Sequence, residues 1–375
     1  MKLWFGRKAA AEAARPSLFQ AWSGASAGDW PRSYEAQVRD GFLGNPVAQR
    51  AVRLVAESVA WAPVYAEGQS DGGGEARVAL VPPSLLETVA GHLLLHGNAY
   101  LQVIADADGA PAELFALRPE RVRVEADSGG WPAAYLYQAG AVRTRFAARD
   151  GMGRPGVLHL KALHPLDDHY GLGCLGAAAG AVAVHNAATR WNKALLDNAA
   201  RPSGALVYKP GDGAALSADQ YRRLKEELQE AFQGAANAGR PMLLDGGMQW
   251  QALSLTPEEM DFAGLKEAAA RDIALAFGVP PMLLGLPGDS TYANYREANR
   301  ALWRLTVLPL AEKILREVSA GLGAWWPGLR LRPDVDQVTA LSEDRERLWA
   351  QVSAADFLSD AEKRQMLGFG PAKEG

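Results

Sequence analysis

The sequence predicts an α+β fold, with a block of strands set between helical segments rather than alternating with them. Three observations carry this. Residues 99 to 163 hold five short runs of strand character, and two of them, "AYLQVIAD" and "AELFALRP", flank the turn "ADGAP" as in a hairpin. The stretch before this block has helical apolar spacing with clear end signals. From about residue 175 the chain returns to helix in a run unusually rich in Ala and Gly.

The elements follow in order. The first 30 or so residues are weakly patterned and are expected to be peripheral. In "NPVAQRAVRLVAESVAWAP", Asn45 can cap a helix and Pro46 suits its first turn. Val47, Ala51, Leu54, Val55 and Val59 make one apolar face, and Pro63 marks the end. The glycine-rich turn "SDGGGE" leads to a second helix from "PPSLLETV" to "LLLHGNAY", where Gly97 is a good stop. "RVRVEAD", "AAYLYQAG" and "VLHLKAL" continue an antiparallel pattern after the hairpin.

The helix "LGAAAGAVAVHNAATRWNKALLDNAA" has small side chains that let backbones approach closely. A β-α-β unit comes next: strand "GALVYKP", a helix with Ser217 and Gln220 at capping-box spacing, then short strands "RPMLLDGG" and "MQWQALSL". Another capped helix opens at Thr256 and sets Phe262, Leu265, Ala269, Ile273 and Ala276 on one face. A turn-rich loop follows. Asn294 and Glu297 can cap a long helix that carries Ala298, Leu302, Leu305, Leu308 and Leu315 toward a core. Pro309 lies inside it and is expected to kink it, an interior proline costing about 3 kcal/mol. Two shorter helices close the chain, the last capped by Ser359 with Glu362.

Composition excludes several classes. Apolar content of 48% and charged content of 22% are ordinary for a globular chain of 375 residues, and the net charge of −4 shows no basic character of the kind that grips nucleic acid. A single cysteine, Cys174, permits no internal disulfide and suits a reducing compartment. The N-terminus lacks the apolar core of a signal peptide. The longest apolar run, 174 to 184, is too short for a bilayer, and a soluble protein is expected.

Motifs for chemistry are few. "GLPGDST" has the Gly and Ser/Thr of a phosphate loop, but a helix precedes it and Asp289 stands where Lys is required. His92 and His96 have zinc-ligand spacing, yet Leu93 occupies the place of the general-base Glu and the surroundings are apolar. "HPLDDHYGLG" offers His164, Asp167, Asp168 and His169, more simply read as a solvated loop. Trp61, Trp191, Trp250 and Trp303 fall on or beside apolar faces, which favours core or subunit contact over base stacking.

The segments "NPVAQRAVRLVAESVAWAPVY", "LLLHGNAYLQV", "VLHLKALHPLDDHYGLGCLGAA", "LLDNAARPSGALV", "KEAAARDIALAFGVPPMLLG" and "STYANYREANRALWRLTVLPLAEKI" occur in this order. Together they resemble the portal protein family of long-tailed bacteriophages and gene-transfer agents. The resemblance implies a mixed α/β wing, paired stem helices, a small β-α-β clip, a long kinked helix and a short helical crown. Its parts map as a peripheral N-terminus 1–35, wing 36–174, first stem helix 175–200 and clip 201–255. The second stem helix would be 256–283, the tunnel loop 284–293, the kinked wing helix and return 294–330, and the crown 331–375.

The same resemblance implies a homo-oligomeric ring, a dodecamer, at one capsid vertex of a virion assembled in the bacterial cytoplasm. Double-stranded DNA would pass through its channel without sequence-specific binding. The terminase large subunit, a head-tail adaptor and the major capsid protein would be the partners, with no membrane. Leu286, Pro287, Gly288, Asp289, Ser290 and Thr291 would face the DNA. Ala178, Gly180, Ala181, Phe262, Leu265, Ala269 and Ile273 would form the subunit interface of the stem, and Pro309 the kink. No catalytic, cofactor-binding or metal-ligating residue is implied. Two other readings stay open: a metal-dependent hydrolase using His164, Asp167, Asp168 and His169, and a ring scaffold unrelated to DNA.

Overall fold

The structure, a computed structural model, describes residues 33–67, 73–197, 204–208, 248–252, 262–287 and 291–367, with single positions between 217 and 226. The chain divides into two compact units, one of Val52–Gly176 with Tyr292 onward, the other of Asp29–Ala51 with Ala177–Thr291.

In the first unit, α1 (Pro46–Trp61) enters from the other unit, and β1 (Val64–Ala66) pairs antiparallel with the distant β10 (Leu331–Pro333). A short α2 (Gly74–Val78), not anticipated in the sequence, precedes α3 (Pro83–Leu95). Gly97 then ends α3 with φ of 83°, a conformation that favours glycine. Strands β2 (Asn98–Ala105), β3 (Pro111–Leu117) and β7 (Val157–Lys161) form one antiparallel sheet in the order β3-β2-β7. β4 (Val122–Ala126), β5 (Pro132–Ala139) and β6 (Val142–Ala147) form a second in sequence order.

Tyr100, Leu117, Val122, Tyr135 and Val157 join the two sheets in one core, with the Tyr100 ring stacked on His159 at 4.3 Å and edge-on to Tyr135 at 5.8 Å. Of the apolar face expected on α1, Ala51, Val55 and Val59 are buried, whereas Val47 and Leu54 are half-buried and Ala48 and Val52 are buried beside them.

The long helix after residue 290 is three pieces: α6 (Tyr292–Leu302), a π turn (Trp303–Val307) and α7 (Leu308–Leu322). It begins at Tyr292, so Asn294 lies inside it. The π turn corrects the expected inward face. Leu305 is 77% exposed, while Leu302, Val307, Ala311, Ile314, Leu315, Val318 and Leu322 are buried. The step from Leu302 to Val307 is five residues, because the π turn carries one residue more than an α turn and resets the apolar stripe. Pro309 falls in the first turn of the new segment, where its missing N–H is least costly. Within this unit Trp325 donates Nε1–H to Gly109 O at 2.8 Å, securing the β2–β3 hairpin tip. Ser319 accepts from Leu331 N and donates to Leu315 O. The C-terminal helices are α8 (Ser342–Ser353) and α9 (Asp360–Met366), the latter with the expected Ser359–Glu362 capping box.

The second unit holds a short helix and π turn (Tyr34–Leu43), most of α4 (Cys174–Asp197), the antiparallel pair β8 (Gly204–Tyr208) and β9 (Met248–Ala252), and α5 (Phe262–Ala276). Ala178, Ala179, Val182 and Ala188 on α4 and Ala269, Ala270, Ile273, Ala274 and Phe277 on and after α5 are buried. Of the helix expected between β8 and β9, Asp219, Arg222, Arg223 and Glu226 are described and are helical, while the strand expected at "RPMLLDGG" and the cap expected at Thr256 lie outside the described residues.

Candidate functional site

Two places hold the residues singled out in the sequence. The first is a backbone crossing in the first unit, where "HGN" (96–98) meets "GLG" (171–173). A Cβ on Gly171 would collide with the Gly97 carbonyl and the Ala162 backbone, and one on Gly173 with the Leu95 carbonyl. Only glycine lets these strands of chain lie so close.

Asn98, buried, fastens the crossing. Its Oδ1 accepts from Gly171 N at 2.8 Å and from His159 Nε2 at 3.0 Å, and its Nδ2 donates to Gly171 O at 3.2 Å and to His96 Nδ1 at 3.1 Å. These bonds need His96 unprotonated on Nδ1. Burial pushes His96 down to about 4, and pushes His92 to about 4 and His159 to about 3 with neighbouring positive charge adding to the effect. Nothing in the sequence marked Asn98; Gly97 on one side and the pair Gly171 and Gly173 on the other were the available signal.

The loop leaving this crossing is held rigid. Asp167 Oδ1 accepts from His169 N at 2.7 Å and Tyr170 N at 3.0 Å, His164 Nδ1 accepts from Leu166 N at 3.1 Å, and Tyr170 OH accepts from Val124 N at 3.1 Å. Asp167 is therefore spent on backbone donors. Among the described residues no group of three or more His, Cys, Asp or Glu is placed to hold a metal ion. The hydrolase reading gains no geometry here. Cys174, which opens α4, is half-buried, and burial pushes its thiol up, away from the reactive range.

The second place is the loop between α5 and α6. Pro280 and Pro281 stop the preceding chain in a 3-10 turn, and Gly285 reverses it with φ of 74°. Arg271 on α5 donates Nη2 to Pro287 O at 2.5 Å and pairs with Glu267, which pins the start of the loop to the helix. Leu286 is half-buried, Pro287 and Thr291 are exposed, and Gly288, Asp289 and Ser290 lie outside the described residues.

The expected stem residues divide by burial. Ala178, Ala269 and Ile273 are closed inside the subunit and Gly180 and Ala181 are half-buried, whereas Leu265, expected on the apolar face, is 48% exposed. Phe262 opens α5, with its side chain outside the described residues. Of the tryptophans expected in core or subunit contact, Trp61 is 82% exposed and Trp191 is also exposed, so neither belongs to the core of the subunit.

The second unit has its own polar cluster. Asn45 caps α1 through Val47 N and Ala48 N, and its Nδ2 reaches His185 Nδ1 at 3.1 Å and Asn186 Oδ1 at 2.9 Å on α4. The cap was legible in the sequence. Its second role, across 140 residues of chain, was not.

Residues 46–368 match the family described as phage portal protein. The chain belongs to this family. Its similarity extends to an uncharacterized protein of Rickettsia felis, 44% identical over 292 residues, covering 75% of this chain and 72% of that one. Among solved structures it is similar to a subunit in the neck of an empty gene transfer agent particle computed with C6 symmetry. That match has a TM-score of 0.70 and 46% identity, covering 93% of this chain and 97% of the other. A native particle's neck computed with C12 symmetry matches at TM-score 0.67 and 47% identity over the same shares. No described helix of this portal-family chain is long and apolar enough to cross a membrane.

Proposed function

We propose that this chain is the portal of a phage-like particle, a ring at one capsid vertex through which double-stranded DNA is packaged and ejected. The observation that supports this most is the match over 93% of the chain to a subunit of a gene transfer agent neck. The role is structural: a conduit that docks a terminase large subunit during filling, then a head-tail adaptor, with the major capsid protein around it.

Residues 36–174 serve as wing, 175–200 and 256–283 as stem, 201–255 as clip, and 331–375 as crown. Residues 284–293 form the loop at the channel, where Arg271 steadies one end. Small polar residues there suit a passage for a sliding polyanion, and the net charge of −4 supplies no trap for phosphates. Leu265, exposed on α5, is open to a neighbouring stem.

The test is to fuse a small label to the C-terminus and locate it on purified particles. One labelled vertex per particle is expected; label spread over the capsid surface, or absent from particles, contradicts the proposal.

A further inference from the structure

We propose that wings in the ring interlock head to tail, the loop 163–172 of one subunit filling an apolar groove at the far end of its neighbour's α3. This rests on the ring reading above. The loop turns three leucines to solvent: Leu163 is 84% exposed, Leu166 70% and Leu172 50%. Exposed leucines scattered over a surface need no explanation, but these sit on one ten-residue loop. The loop is also locked in place, by Asp167 on two backbone N–H groups, by His164 on a third, and by Lys161 donating to Asp168 O. The Asn98 clasp on Gly171 anchors its end. A rigid apolar projection loses little freedom on docking.

The matching groove belongs to the same unit. It has a volume of about 900 Å³ and is lined by Trp61, Pro63, Val64, Val78, Val81 and Leu86 among others. It lies where α1 ends, β1 begins and α3 starts. The loop is at the other end of α3, with the Gly173 backbone against the Leu95 carbonyl. Thirteen residues of helix separate the two ends, about 20 Å at 1.5 Å per residue. The loop therefore cannot fill its own groove. A projection and a receptor at opposite ends of one rigid helix are what a heterologous contact uses, and such contacts close into rings when the rotation permits. The ring reading, with the C6 and C12 symmetry of the similar necks, makes the occupant a second copy of this chain.

Cross-linking tests this in the full-length chain with Cys174→Ala as the cysteine-free parent. Leu166→Cys and Ser84→Cys together, treated with a short bis-maleimide, should give a ladder of covalent oligomers from purified rings. Rings of each single-cysteine chain should give only uncross-linked chains on a denaturing gel. Leu163→Asp with Leu166→Asp should lower the ring fraction at fixed concentration at least tenfold while leaving the melting temperature of the monomer unchanged. A bulky maleimide should label Ser84→Cys in the monomer and be blocked in the ring.

Intact rings without a ladder overturn the proposal and leave the ring reading standing. So do dimers from Leu166→Cys alone, which signal a symmetric loop-to-loop contact. Blocked labelling in the monomer would place a segment of the same chain in the groove, and free labelling in the ring would leave it to another protein; both overturn it. If the parent forms no ring, the functional reading itself fails.

Discussion

Replacing Asn98 with Ala should be among the most damaging single changes outside the apolar core. The substitution leaves two donors without a partner, Gly171 N–H in a buried position and His159 Nε2 in a part-buried one. It also removes the donor that His96 Nδ1 and Gly171 O accept. An orphaned buried donor costs about 1–3 kcal/mol, so two amount to about 2–6 kcal/mol. That is a large share of the roughly 5–15 kcal/mol that holds a domain together. The cost should appear locally first, because Asn98 anchors the loop 163–172. Hydrogen exchange on the full chain reads it directly. Peptides spanning Gly171 should exchange between about 30-fold and 10⁴-fold faster in Asn98→Ala, taking about 1.4 kcal/mol per factor of ten. Unchanged protection at Gly171, with a melting temperature equal to the parent's, would refute the reasoning and show that the glycine crossing holds without its clasp.

Three further outcomes are expected. Acid should destabilise the first unit: His92, His96 and His159 have folded pKa values below the ordinary 6.5, so the unfolded chain binds more protons below that pH. The stability they support is complete above about pH 6.5 and is lost as pH falls through about 4 toward 3. The steepest loss is on the order of 3–4 kcal/mol per pH unit if all three titrate independently; a melting temperature flat from pH 7 to 4.5 would contradict it. Arg300, which pairs with Glu297, Glu343 and Asp344, connects α6 to α8, so Arg300→Ala should speed proteolysis after residue 341 and remove the salt sensitivity of that cleavage; an unchanged cleavage rate would show the pairs are dispensable. Asp289→Lys should leave the melting temperature within the equivalent of about 0.5 kcal/mol while cutting the yield of DNA-filled particles, more so at low salt; normal filling would place Asp289 away from the DNA path.

Much of the fold could be read in the sequence wherever local chemistry decides it. Asn45, Gly97 and the Ser359–Glu362 box stand where caps and stops were expected, and the strand block 99–163 pairs antiparallel throughout. The misses share one cause, geometry that no local period encodes. A constant 3.6-residue repeat put Leu305 inside, and one extra residue in the π turn put it out. Spacing placed Leu265 on one face with Ala269 and Ile273, and within the subunit those two are buried while Leu265 is 48% exposed. Asn98 was invisible because its partners come from three separated segments. Of the residues expected at the channel, the approach from Pro280 to Pro287 follows its turn signals. A meeting with DNA would be a property of an assembly, and a single chain's sequence carries that expectation only through family resemblance.

The central claim is that copies of this chain close into a ring with an open channel. Electron microscopy of the purified full-length protein tests it most directly. The account predicts closed rings of one subunit number with a continuous central hole, in keeping with the C12 and C6 symmetry of the similar necks. Particles that remain monomeric at all concentrations, or that assemble without a through-channel, would contradict it.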